Sequence, residues 1–224
     1  MDTATFESFA RDGCNRIPVH RQVLSDLDTP LSVYRKLVDG PNAYLLESVQ
    51  GGEQWSRFSI IGLPARTVFS VRGQELIRIE DGEAVERTRV ADPLRAIDEL
   101  QRRFKVAQPE GLPGFCGGLV GYFGYECVSY IEPRLAGLSG PDQLGTPEIT
   151  LLLSEEVAVF DNLHGRLYLI VCADPSEPRA LPRAQRRLDQ LVHRLRNSAA
   201  SYPEVAGAPP LAETDFQSGF TRDA

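Results

Sequence analysis

The stretch that most constrains the fold runs from Gly117 to Glu126 and reads GGLVGYFGYE. Four of its ten residues are glycine and three are aromatic. Each interior glycine costs a helix about 1 kcal/mol, which excludes an ordinary helix here. Within a strand, glycine marks a bulge or a place where another backbone comes close. The pattern therefore predicts a buried strand, crossed tightly by a neighbouring element. It is not a P-loop, which needs Gly-Lys-Ser/Thr. Nor does it fit GxGxxG with a downstream acid.

The flanking sequence mixes strands and helices without strict alternation. A short helix is predicted over 3–14, with Phe6 and Phe9 on one side, then a strand from Ile17 to Leu24. Thr29 can cap a helix that Pro30 opens, and Leu31, Tyr34, Leu37 and Val38 repeat at helical spacing. Ala43 to Ser48 reads as a strand, followed by the polar turn Gln50-Gly51-Gly52-Glu53. Short strands are predicted over Phe58–Ile61, Thr67–Val71 and Leu76–Ile79, and Asp81-Gly82 is a hairpin signal. Asp92-Pro93 opens a helix with Leu94, Ile97, Leu100 and Phe104 as its apolar stripe. After a Pro/Gly loop over 133–147, Glu155–Phe160 and Arg166–Cys172 form a hairpin around Asp161-Asn162-Leu163-His164-Gly165. An amphipathic helix covers 182–196, with Leu188, Leu191, Val192 and Leu195 on one face. Residues 198–213 are small, Pro-rich and aperiodic, and read as a linker. Thr214-Asp215 then offers caps for an apolar pattern begun by Phe216 and Phe220. Prominent hairpins argue for an α+β fold: mostly antiparallel strands and hairpins with several packed helices.

Composition narrows the function. The chain has 224 residues and a net charge of −7, an acidic balance that argues against nucleic-acid binding. No apolar run approaches bilayer-spanning length, and the N-terminus lacks an apolar signal core, so no membrane contact is expected and the location expected is cytoplasmic. Four cysteines, none in a CxxC pair, join only three histidines, which makes a structural zinc site improbable. The cysteines are expected to be reduced, with Cys116 and Cys172 as small buried thiols in strand-like runs.

Two short segments bear suitable chemistry. Leu45-Leu46-Glu47-Ser48 is either the polar end of a core strand or one side of a ligand site. There Ser48 would offer a hydroxyl, and Glu47 a carboxylate for an ammonium group. Trp55-Ser56-Arg57-Phe58 sets a hydroxyl and a guanidinium between two aromatics. Arg57 would pair with a ligand carboxylate or with a neighbouring acid on the surface. Neither GxSxG nor HExxH is present, and no Ser/His/Asp order is singled out.

Taken together, LLES at 45–48, WSRFSIIG at 55–62 and GGLVGYFGYE at 117–126 resemble the N-terminal region of the anthranilate synthase component I family. The resemblance covers essentially the whole chain, and the glycine-rich decapeptide is its most specific piece. Aminodeoxychorismate synthase component I is the close relative, and LLES points more to the anthranilate enzyme. The resemblance implies the N-terminal part of a larger two-domain α/β enzyme. That enzyme converts chorismate and ammonia to anthranilate and pyruvate with Mg²⁺, a glutamine amidotransferase subunit usually supplying the ammonia.

L-Tryptophan is the feedback inhibitor in this family. Ser48 matches its tryptophan-contacting serine, Glu47 is the neighbour, and Trp55, Ser56, Arg57 and Phe58 match a second contact segment. By the same resemblance, residues 1–197 form the regulatory domain and 198–213 a linker. Residues 214–224 would begin the chorismate-binding domain, which holds the catalytic and Mg²⁺-binding residues and completes the inhibitor pocket. No catalytic or metal-binding residue and no cofactor are expected within this chain, and alone it should be inactive. The alternatives are the folate-pathway relative and, if the reading frame ends at Ala224, a free-standing amino-acid-binding module.

Overall fold

A computed structural model describes residues 1–25, 27–47, 57–135 and 144–198. In chain order its elements are α1 (Thr3–Arg11), β1 (Ile17–Leu24), α2 (Pro30–Leu37), β2 (Tyr44–Leu46), β3 (Phe58–Gly62), β4 (Thr67–Arg72), β5 (Glu75–Glu80) and β6 (Glu83–Arg89). There follow α3 (Pro93–Arg102), β7 (Gly118–Phe123), α4 (Val128–Ile131), β8 (Ile149–Ser154), β9 (Glu156–Asp161), β10 (Arg166–Ala173) and α5 (Ala180–Asn197). The strands form two antiparallel sheets, in the orders β1-β10-β9-β3-β2 and β6-β5-β4-β8-β7. The fold class is α+β, as the hairpin signals predict. Among the described residues no helix is long and apolar enough to cross a membrane.

Local signals act where they are read. Thr29 Oγ1 accepts from the Ser32 N–H at 3.1 Å, and Ser32 Oγ accepts from the Thr29 N–H at 3.0 Å, so two free amide donors are satisfied at the start of α2. Asp81 and Gly82 both take positive φ, the conformation of a tight turn that follows the twist of β5 and β6. On the first sheet, alternate residues of β1, β3, β9 and β10 face α1, α2 and α5. There Ile17, Val19, Ile61, Leu167 and Leu169 meet Phe6, Val33, Leu37, Leu188 and Leu191 in one core. The opposite face carries Val157, Val159, Tyr168 and Ile170, against which Phe58, Ile60, Leu112 and Phe115 pack. The second sheet buries Phe69, Val71, Ile149, Leu151 and Leu153 beneath Ile97 and Leu100 of α3.

Three expectations need correction. The glycine-rich stretch forms β7, which is not buried: it lies at a sheet edge, and Gly121, Tyr122 and Phe123 are exposed. The close backbone approach is real but comes from its own partner strand. A Cβ on Gly121 would lie 1.8 Å from the Thr150 carbonyl oxygen of β8. The strand expected from Glu155 is preceded by β8, and the two differ in sheet. Glu155 sits at the corner between them, its Oε1 accepting from Arg16 Nε at 2.7 Å and its carbonyl from the Cys172 N–H at 2.7 Å. Cys116 lies in the irregular segment before β7, whereas Cys172 is in β10, and both residues are half-buried rather than buried.

Candidate functional site

The described parts of the two candidate segments, residues 45–47 and 57–58, lie at neighbouring ends of paired strands. β2 and β3 run antiparallel, with Tyr44 opposite Gly62, Leu45 opposite Ile61 and Leu46 opposite Ile60. The missing side chain of Gly62 makes room for the Tyr44 ring, which passes where a Cβ would be, 2.0 Å from the nearest ring atom. Tyr44 Oη lies 2.8 Å from Oγ of the buried Ser154, which ties β2 of the first sheet to the end of β8 in the second. Burial raises the Tyr44 phenol above its ordinary range. Glu47 follows β2 directly and is exposed. Ser48, Trp55 and Ser56 lie outside the described residues.

Arg57 and Phe58 open β3. Arg57 Nε donates to Asp161 Oδ1 at 3.0 Å, and one terminal nitrogen donates to Oδ2 at 2.7 Å, a fork-to-fork pair. Asp161 ends β9 opposite Phe58, and its side chain is 2% exposed. Of the two readings open for Arg57, the structure supplies the neighbouring acid, and that acid is buried rather than on the surface. The guanidinium carbon also sits 4.7 Å from the centroid of the Phe58 ring. His164 Nδ1 is placed to donate to Asp161 Oδ2 at 2.8 Å. The Arg57 hydrogen bonds, and secondarily that of His164, hold the Asp161 carboxyl well below the usual carboxylate range against the opposing effect of its burial.

Asp161, Asn162 and His164 were legible from sequence only as a turn. Asp161-Asn162 with Gly165 three residues on is an ordinary hairpin signal, and nothing local tells that the aspartate turns inward. A second polar cluster lies at the sheet corner, in a cleft of about 470 Å³ lined in part by Arg16, Glu155, Glu156, Asp174 and Arg187. Its charges pair among themselves: Arg16 with Glu155 and Asp174, and Arg187 with Glu156. Among the described residues no group of three or more His, Cys, Asp or Glu side chains is placed to hold a metal ion. The residues described thus offer no donor set for Mg²⁺.

Two antiparallel sheets joined by strands that turn a corner, with the short β2 pairing β3 at one edge, define an α+β domain of the kind found in a solved enzyme chain. The crystal structure of anthranilate synthase component I from Streptococcus pneumoniae superposes with a TM-score of 0.51 at 25% identity, covering 79% of this chain and 37% of that one. The model of the chorismate binding enzyme family matches residues 42–220, and the chain belongs to that family. Over all 224 residues it is 50% identical to anthranilate synthase component 1 of Pseudomonas aeruginosa and 48% identical to that of Pseudomonas putida. These alignments take in 46% and 45% of the two relatives, so the chain spans about half the length of the curated relatives it matches.

Proposed function

We propose that this chain is the N-terminal, regulatory part of an anthranilate synthase component I, a cytoplasmic enzyme of tryptophan biosynthesis. The observation that carries this reading is the 50% identity to the Pseudomonas aeruginosa component 1 over the chain's whole length. In this reading residues 1–197 are the regulatory domain, 198–213 a linker and 214–224 the start of the chorismate-binding domain. The complete enzyme converts chorismate and ammonia to anthranilate and pyruvate. The ammonia comes from a glutamine amidotransferase subunit, and Mg²⁺ is held outside this chain, which alone makes no anthranilate.

The inhibitor is L-tryptophan, held in part by Glu47, Ser48, Trp55, Ser56, Arg57 and Phe58. A tryptophan zwitterion requires acceptors for its ammonium, donors for its carboxylate and an apolar slot for its indole. Glu47 and Ser48 suit the first two needs, and the aromatic pair Trp55 and Phe58 suits the third. Burying an indole removes about 150–250 Å² from water, a gross gain of about 4–6 kcal/mol before the costs of association. The β2–β3 pairing supports the reading, because Leu46 lies opposite Ile60, so that Glu47 leaves β2 at the end where Phe58 opens β3.

Product analysis tests the activity: the complete enzyme makes the ortho-amino product, and a para-amino product overturns the assignment. Ser48→Phe tests the site. The variant is expected to need at least about tenfold more L-tryptophan for half-inhibition, and an unchanged inhibition curve overturns the site.

A further inference from the structure

The turn between β9 and β10 grips the start of β3 from 104 positions along the chain. Besides the forked pair with Asp161, the Arg57 carbonyl accepts from the Asn162 N–H at 2.8 Å. The Asn162 side-chain amide donates to Ser59 Oγ at 3.2 Å. Asp161 is itself fixed, paired with Phe58 on one side and with Arg166 on the other. Backbone and side chain of Arg57 are thus both fastened to one turn, with the Phe58 ring under the guanidinium. A guanidinium that offers its Nε and terminal nitrogen to Asp161 no longer presents that fork to a ligand carboxylate.

We propose that Asp161 is a positioning residue of the inhibitor site, acting through Arg57, so that Arg57 sets the orientation of the Phe58 stretch instead of clamping the ligand's carboxylate. This rests on the L-tryptophan site proposed above. His164, whose ring is 48% exposed while its Nδ1 meets Asp161, secures the carboxylate from the third side. The structure brings together a regulatory contact segment and a distant hairpin turn in which the resemblance assigns no role.

The test measures L-tryptophan inhibition, chorismate KM and kcat in the complete enzyme with its amidotransferase partner. Asp161→Asn is expected to raise the inhibition constant about tenfold or more while kcat and KM stay within about twofold, a split that general loosening of the fold would not give. If Arg57 instead clamps the ligand carboxylate, freeing it from Asp161 leaves inhibition as tight or tighter, and the proposal is overturned. Should Asp161→Asn fail to fold, His164→Gln decides. It removes one exposed partner and keeps the forked pair, so a rise of about threefold or more supports the proposal and a parent-like constant overturns it. A desensitised Ser48→Phe beside parent-like Asp161 and His164 variants rejects the positioning role and keeps the site. A parent-like Ser48→Phe rejects the site itself.

Discussion

Arg57 and Asp161 form a forked ion pair, 3.0 and 2.7 Å, in which the carboxylate is buried and the guanidinium is 36% exposed. The two partners are therefore unequal. Removing the arginine leaves a buried carboxylate with His164 in place of its forked partner, whereas removing the aspartate leaves a cation that water can reach. Arg57→Ala is therefore expected to lower stability more than Asp161→Ala does. Urea unfolding of the two variants checks the order, and a larger loss in Asp161→Ala contradicts it.

The same pair gives an acid-side pH dependence. The folded-state pKa of Asp161 lies below its unfolded value, so the unfolded chain binds the proton more readily. The contribution is complete above the ordinary carboxylate range, near pH 4, and is lost as pH falls from there toward the lower folded value. Asp161→Asn should flatten this part of the stability–pH curve, measured as Tm between about pH 5 and pH 3. An unchanged acid slope in the variant would show that other carboxylates dominate it.

Tyr44 joins the two sheets through Ser154, whose side chain is buried. Tyr44→Phe keeps the ring over Gly62 and leaves the Ser154 hydroxyl without this partner, which should cost about 1–2 kcal/mol. Chemical denaturation measures it. A neutral result would mean that the serine finds another partner.

Two glycines near the decapeptide separate crowding from open space. A Cβ on Gly121 meets backbone atoms of Thr150 and Leu151, which cannot swing aside as a side chain can. Gly121→Ala should destabilise by about 1–3 kcal/mol or more. A Cβ on Gly114 meets nothing within 4 Å, so Gly114→Ala should be near neutral or slightly stabilising. Equal effects of the two in thermal melts would refute the crowding argument.

Burial pushes the Cys116 thiol up to about 11 and the Cys172 thiol up to about 12. Thiolate is the reactive form, so neither should react at pH 8 with an aromatic disulfide reagent until the chain is denatured. Mass spectrometry of labelled peptides reads this directly, and rapid native labelling of Cys172 would contradict its raised pKa.

The sequence carried much of the fold because many of its signals are local. Thr29-Pro30 opens α2, Asp81-Gly82 turns β5 into β6, and the leucines of α5 repeat along one face. β8 was illegible for the opposite reason. Ile149–Ser154 passes into Glu156–Asp161 with no turn residue between, and two apolar runs in succession have the same pattern as one. The candidate site divides in the same way. Glu47, Arg57 and Phe58 stand out as residue types at the ends of short strands, but the partner of Arg57 does not.

By itself the sequence determined the α+β class, most of the strand and helix positions and the family resemblance, since these rest on side-chain periodicity and short motifs. Tertiary structure alone decided that β7 lies at an edge, that the chain changes sheet at Glu155, and that Asp161 turns inward to hold Arg57. Each of these depends on which distant backbone happens to lie alongside. A strand of glycine and aromatics suits either a centre or an edge, and an aspartate in a turn is ordinarily wet. A guanidinium brought from 104 residues away, together with the nearby His164, offsets the cost of burying that carboxylate.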